Sequence, residues 1–469
     1  MSFLTGQTLE ADQKLKEGAM MRPKILILLL PVFLFGRPPD ALGADEFTVF
    51  NQGARAAGMA NAFVARASDP SAVWYNPAAL ARLDGFQIAA GGEFLRLGGR
   101  SYFSVYRNAT LTADPLDHIL PNAYLTGRLS DRIGFGLSVN SPFHYEIEWP
   151  QTRAFEHLAY FVKRLEIRTR ALSLAAAFRL NDRLSLGAGV SLIAASFNAR
   201  YHYPYDIDVM VAMFTNGEVM DAREAVFDLR EFKDLKAGLF AGAQWSPNPS
   251  LSFGLVYRSG APLSSDSGSV LGLEPETPSA YANAKLAEMF IDSPAQGAVI
   301  RLSLADRLEA GAAWRIGNVF ETEIDVGVIF WSGMKSLDVD YAVNTEFRSF
   351  WTVYADLEAD TYFKNALSLK WGGELHVTPF LDARLGAFLH GSPVTPSHLG
   401  PVFPFAKSTG FSLGAGLRIS RFQIDAAYVF TSRARLTDTN DWFLRWGDNA
   451  QTYPGRIDQA LVVTTGIRL

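Results

Sequence analysis

From residue 85 onward the chain alternates apolar with small or polar positions almost without a break. In "RLSLGAGVSLIA" the residues Leu184, Leu186, Ala188, Val190 and Leu192 share one face. Ser185, Gly187, Gly189 and Ser191 share the other. In "FETEIDVGVIF" Phe320, Ile324, Val326, Val328 and Phe330 oppose Glu321, Glu323, Asp325 and Gly327. "LDARLGAFLH", "FSLGAGLRI" and "FQIDAAYVF" repeat the pattern. Period-two alternation predicts β-strands with one aliphatic face and one small or charged face. One interruption stands out. "IGFGLSVNSPFHYEIEW", residues 133–149, carries Pro142 in mid-strand, where a ladder hydrogen bond is lost. Ile133, Phe135, Leu137 and Val139 hold one phase before it, and Phe143, Tyr145, Ile147 and Trp149 hold the same phase after it. A one-residue bulge flips the faces, so the unbroken phase predicts a local dent that keeps its register.

Alternation alone suits a soluble sandwich as well as a barrel. The connections decide between them. Tight turns at 130–132, 180–183, 246–250, 316–318, 378–380 and 419–421 alternate with long connections near 99–119, 149–165, 201–233, 263–296, 334–360, 393–408 and 435–457. That rhythm makes seven hairpins and an all-β fold: a transmembrane antiparallel barrel of about fourteen strands, with short periplasmic turns and long extracellular loops. The aliphatic face then meets lipid and the small, charged face lines the lumen. Closure removes the exposed edges of so long a sheet.

Composition agrees. Charged residues make up 19% and aromatics 13% of the 469 residues, yet mean hydropathy is only +0.06, so long apolar helices do not fill the chain. A net charge of −5 leaves no footprint for nucleic acid. With no cysteine, disulfides, thiol catalysis and cysteine-based zinc sites are excluded. One apolar run, Ile25 to Phe35, follows Arg22 and Lys24 and precedes Ala41 and Gly43. It is about half a bilayer span and reads as a signal peptide, with Ala44 the first mature residue. The expected organisation is an upstream segment and signal peptide at 1–43, an N-terminal hatch in the lumen at 44–84, and the barrel at 85–469. The 44–84 segment does not alternate; it is Ala- and Gly-rich with Pro turns, which suits close packing inside a lumen.

"GARAAGMANAFVARASDPSAVWYNPAALARL" resembles the N-terminal signature of the FadL/TodX-type outer-membrane transporters of long-chain fatty acids and aromatic hydrocarbons. The likeness continues through "PNAYLTGRLSDRIGFGLSVNSPF" and "SLKWGGELHVTPFLDARLGAFLHGSPV" to "FSLGAGLRI". Asn61 and Ala62 depart from it, standing where many relatives have glycine. The resemblance implies a fourteen-stranded barrel with an N-terminal hatch and an inward kink in the third strand that opens the wall sideways. Asn140, Ser141, Pro142 and Phe143 would form that kink. Asn76, Pro77 and Ala78 would touch it from the hatch, where Phe47 and Phe50 complete the gate. The implied setting is the outer membrane of a Gram-negative bacterium. The implied partners are a hydrophobic small molecule, outer-membrane lipid and the barrel-assembly machinery, with a monomer expected and no cofactor.

Two long loops are apolar where exposed loops are usually polar. One holds Met210, Met213 and Phe214, the other Leu286, Met289 and Phe290 at helical spacing. Pliable apolar surface of this kind marks a capture site for a greasy ligand; mutual packing as a cap is the plainer alternative. The lumen charges are read as Arg170, Glu321, Asp325, Lys370, Glu374, Arg384, Arg418, Asp425 and Arg468. Arg384, Arg418 and Arg468 are candidates for a substrate carboxylate, against a salt-bridge lattice that ties hatch to wall. No G-x-S-x-G elbow and no H-E-x-x-H spacing occurs, so neither catalytic nor metal residues are assigned. The rival readings are a barrel enzyme acting on lipids and a general diffusion porin.

Overall fold

A computed structural model describes residues 51–104, 109–149, 164–202, 226–273, 298–341, 357–395, 403–437 and 451–469. The expected cleavage site, Phe47 and Phe50, and the loop residues Met210, Met213, Phe214, Leu286, Met289 and Phe290 lie outside the described residues.

Fourteen antiparallel strands form the barrel. They are β1 (Gln87–Leu97), β2 (Leu116–Arg128), β3 (Ile133–Asn140), β4 (Arg164–Arg179), β5 (Leu184–His202), β6 (Val226–Asn248) and β7 (Leu251–Arg258), then β8 (Arg307–Ile316), β9 (Phe320–Ile329), β10 (Ala366–Thr378), β11 (Leu381–His390), β12 (Ser408–Ile419), β13 (Phe422–Arg433) and β14 (Arg456–Arg468). Each pairs with its sequence neighbours, and β14 pairs with β1 from Gln87↔Arg468 to Arg96↔Gln459, which closes the sheet. The turns fall where the alternation stops. Gly317, in the β8–β9 turn, has φ +61°, a left-handed conformation open to glycine at no steric cost.

The faces are as the alternation predicts. Leu186, Val190, Leu192, Val326, Leu385 and Leu413 are exposed around the outside, while Ser185, Glu323, Asp325, Lys370 and Arg384 are buried on the inside. An exposed belt of Leu, Ile, Val and Phe on successive strands is stable only against lipid. Arg170 is a correction to the lumen charges. It is exposed and shares the outward phase of Leu172 and Leu174 on β4. A long cation near the long-loop end can keep its head in water while its stem lies along the wall.

Residues 51–83 lie inside the barrel. They form two one-turn helices, α1 (Ala54–Ala57) and α2 (Ala72–Tyr75), followed by a 3₁₀ segment, Pro77–Arg82. Alanines permit this compact path, and Met59, Phe63, Val73 and Leu80 are fully enclosed. The wall is thin where the segment presses on it. A Cβ on Gly372 would collide with Met59, and one on Gly386 with Ala60. The small lumen face of the strands is therefore a backbone-to-backbone contact surface.

Candidate functional site: an unzipped seam between the second and third strands

β3 ends at Asn140, and a separate limb of the same strand resumes at His144–Glu148. Asn140 lies opposite Ala171 on β4, and His144 lies opposite Arg168. Three residues, Ser141, Pro142 and Phe143, thus face two, Arg170 and Thr169. This is a one-residue bulge, and it corrects the expectation of an unchanged register. Val139 faces lipid at 50% exposure, yet Tyr145 and Ile147 face inward at 2% and 0%. The apolar phase runs on in the sequence because inward positions at this height meet an apolar core rather than a polar lumen. Tyr145 packs edge-on against Phe405, 5.3 Å between centroids, and Phe143 packs against Trp331 at 6.3 Å.

Thr169 stabilises the bend by replacing the missing ladder. Its Oγ1 accepts from Phe143 N at 2.9 Å and donates to Phe143 O at 2.8 Å. From the N-terminal segment, Gln52 Nε2 donates to Ser141 O at 2.9 Å, and the Tyr124 hydroxyl of β2 donates to Gln52 O at 2.5 Å. The inward turn leaves β2 half-paired. β2 bonds β3 from Arg128 only as far as Ala123↔Val139, while its stretch Leu116–Asn122 pairs with β1 alone among the described residues. The limb in turn pairs with β4 alone among the described residues. The wall is unzipped between β2 and the limb.

Asn76, Pro77 and Ala78 do not meet the kink, a second correction. Asn76 Nδ2 donates to Val64 O at 2.8 Å and to Ala243 O at 3.1 Å. A Cβ on Gly187 of β5 would meet Pro77 and Ala78. The segment reaches β3 through Val73 and Leu80, which lie where Gly134 and Gly136 leave room. Gln52, Tyr124 and Thr169 were not assigned from sequence. Gln52 lies 89 residues from its partner, and nothing local marks it.

The wall carboxylates hold the N-terminal segment. Glu374 accepts from Arg55 at 2.7 and 2.9 Å, and Glu321 pairs with Arg66. Asp325 accepts from Phe63 N and Val64 N, and Glu323 from Ala65 N. Backbone donors of a non-regular, buried segment thereby find partners among buried carboxylates. Asn61, one of the two departures from glycine, has φ +60°, a region that asparagine tolerates, and its neighbour Ala60 is strained at φ +54°. Asn61 Oδ1 also accepts from the Tyr75 hydroxyl at 2.7 Å.

The three candidate arginines belong to this ionic framework. Arg384 has a fully buried side chain and donates to Glu374 at 2.6 Å and Asp425 at 2.7 Å. Arg418 donates to Asp382 at 2.5 Å, and Arg468 lies 3.1 Å from Asp84. Arg418 and Arg468 line a cavity of about 300 Å³ at the short-turn end. A smaller cavity, about 90 Å³, lies above the N-terminal segment and is bounded by Asn51, Asn61, Tyr145 and Phe388.

Solved structures share this architecture. A FadL homologue from Pseudomonas aeruginosa superposes with a TM-score of 0.68 at 20% identity, covering 91% of this chain and 100% of that one. The Ralstonia pickettii toluene transporter TbuX gives 0.61 at 15% identity, covering 90% and 100%. The P. putida toluene transporter TodX gives 0.62 at 13%, covering 89% and 98%. No curated protein matches the sequence. Residues 41–465 match the family described as outer membrane protein transport protein (OMPP1/FadL/TodX), and with the barrel, its filled lumen and its opened third strand on view, the chain belongs to that family of outer-membrane transport proteins.

Proposed function

We propose that this protein takes up hydrophobic small molecules, long-chain fatty acids or aromatic and aliphatic hydrocarbons. In this reading they leave sideways through the seam between β2 and the β3 limb. The observation that carries it is the loss of β2 pairing beyond Ala123 where the limb turns inward. An apolar solute gains little from a pore that ends in water. It gains about 0.8 kcal/mol per buried CH₂ on entering bilayer. The freed backbone is tolerable because protein, not lipid, covers it. The limb brings Tyr145 and Phe143 into the aromatic cluster with Trp331, Phe363, Phe403 and Phe405, a greasy surface next to the opening. Relatives of the same fold named as toluene transporters support the substrate class.

The N-terminal segment acts in this reading as a hatch, closing the lumen to water and ions. Cells expressing the protein should accumulate labelled oleate or toluene, while the purified protein in a planar bilayer should conduct ions poorly. High conductance together with sugar uptake would reassign it as a diffusion porin. The loops provide capture. Changing Met213, Phe214, Met289 and Phe290 together to Ser should reduce ligand binding to whole cells several-fold, since each apolar anchor contributes on the order of 1 kcal/mol or more. Unchanged binding at normal surface expression would reduce these loops to a cap.

A further inference from the structure

Side chains from the two sides of the seam meet. His118 comes from the unpaired stretch of β2, and His144 and Glu146 come from the β3 limb. The imidazole centroids of His118 and His144 are 4.2 Å apart, and His118 Nδ1 lies 3.7 Å from Glu146 Oε2. One ligand atom from each of the three residues lies within 4.8 Å of the others. The His118 side chain is 7% exposed and His144 is 6% exposed. The Nε2 atoms of both histidines are buried with no hydrogen-bond partner. A buried nitrogen left without a partner forfeits its hydration with nothing in return, and two such atoms on facing imidazoles call for a common ligand.

We propose that His118, His144 and Glu146 form a three-ligand site for a first-row transition dication, zinc above all, which ties β2 to the β3 limb across the seam. Two neutral imidazoles and one carboxylate suit Zn²⁺ and disfavour the hard, oxygen-seeking Mg²⁺ and Ca²⁺. Tetrahedral ligands about zinc sit ~3.4 Å apart, so the site tightens on binding by about an ångström. Because its ligands come from both edges, that tightening draws the seam together.

The neighbouring charges permit it. Arg164 lies 3.1 Å from Glu146 Oε1, leaving Oε2 for the metal. Arg168 lies 3.5 Å from Oε2, but its side chain is 54% exposed and also pairs with Glu166, so it turns away at small cost. Arg100 donates to the Glu146 carbonyl at 2.7 Å. The other histidine-carboxylate cluster, Glu321, Glu374 and His376, is already occupied by cations: Arg66 and Arg315 hold Glu321, and Arg55 and Arg384 hold Glu374. It serves as the internal control.

The inference concerns the site alone and does not rest on the route of transport. The folded, full-length protein in detergent is stripped with EDTA and titrated with Zn²⁺ by calorimetry and with Co²⁺ by visible absorption. The expected result is one Zn²⁺ per barrel and tetrahedral Co²⁺ bands. His118→Ala/His144→Ala, which removes two ligands outright, should weaken binding by more than the roughly 10–100-fold that loss of a mere outer-shell partner costs, and His376→Ala should leave it unchanged. Zinc should also raise the temperature of the gel-mobility shift in the unaltered protein. Heat-modifiability checks that each variant is folded; should the double alanine variant not fold, Glu146→Gln and His118→Gln take its place. The absence of stoichiometric binding, or equal binding by folded variants that lack these ligands, would overturn the site.

Discussion

Deleting Ser141 while changing Pro142 to Thr should stop uptake of hydrophobic substrate and leave the barrel folded. The bulge places three residues of the third strand opposite two of β4. Removing one residue restores a constant register, and Thr supplies the ladder donor that proline lacks. Tyr145 and Ile147 then turn outward, where apolar side chains suit lipid, and the limb can pair with β2 from Asn122 to Leu116. The lost opening should lower the uptake rate by roughly tenfold or more, the effect of each ~1.4 kcal/mol added to the barrier. The companion variant, Thr-Val-Thr at Asn140-Ser141-Pro142, keeps the extra residue. It should keep the bulge and most of the transport. Heat-modifiability on a gel is the folding control. A folded deletion variant that transports at the original rate would mean that substrate leaves down the lumen.

The second large effect should come from Glu374→Ala. This carboxylate has a fully buried side chain and accepts from Arg55 of the N-terminal segment and from Arg384 of the wall, with Arg66 at 3.8 Å. Removing it leaves guanidinium charge enclosed without its counter-charge. Breaking a buried pair in this way costs about 3–5 kcal/mol. The cost falls on the seating of the segment, because the wall strands retain their ladders. Single-channel conductance in planar bilayers should rise from near the closed baseline to clear steps. Protease sites within 51–83 should become accessible. Arg418→Ala, which removes a partner of Asp382 at the short-turn end, should do neither. Unaltered conductance and protection in Glu374→Ala would show that packing against Gly372 and Gly386, not the ionic framework, holds the segment.

Legibility in the sequence followed the range of the interaction. The alternation of "FETEIDVGVIF" marked both faces of β9, because a strand displays its two environments at a spacing of two residues. The same stretch exposed Glu321 and Asp325 as lumen charges, but not that Asp325 caps Phe63 N and Val64 N, a contact 262 residues away in the case of Phe63. Arg170 was misplaced inside because charge usually means lumen in a barrel; only its phase beside Leu172 and Leu174 puts it outside. The family likeness pointed to the third strand, which carries a one-residue bulge at Ser141–Phe143. It also implied a contact from Asn76–Ala78, whereas Gln52 makes it.

By itself the sequence determined a closed antiparallel barrel, its turns and its two faces. These follow from local periodicity and from the lengths of connections, and both are written along the chain. The tertiary structure decided the seam. Phe143, Tyr145, Ile147 and Trp149 suit a straight strand facing lipid as well as a displaced limb facing an apolar core, so the pattern is the same for either. What selects the limb is one extra residue measured against β4, the Thr169 hydroxyl at the bend, Gln52 from inside, and the aromatic cluster waiting at that height. Register is a relation between strands, and no single strand carries it.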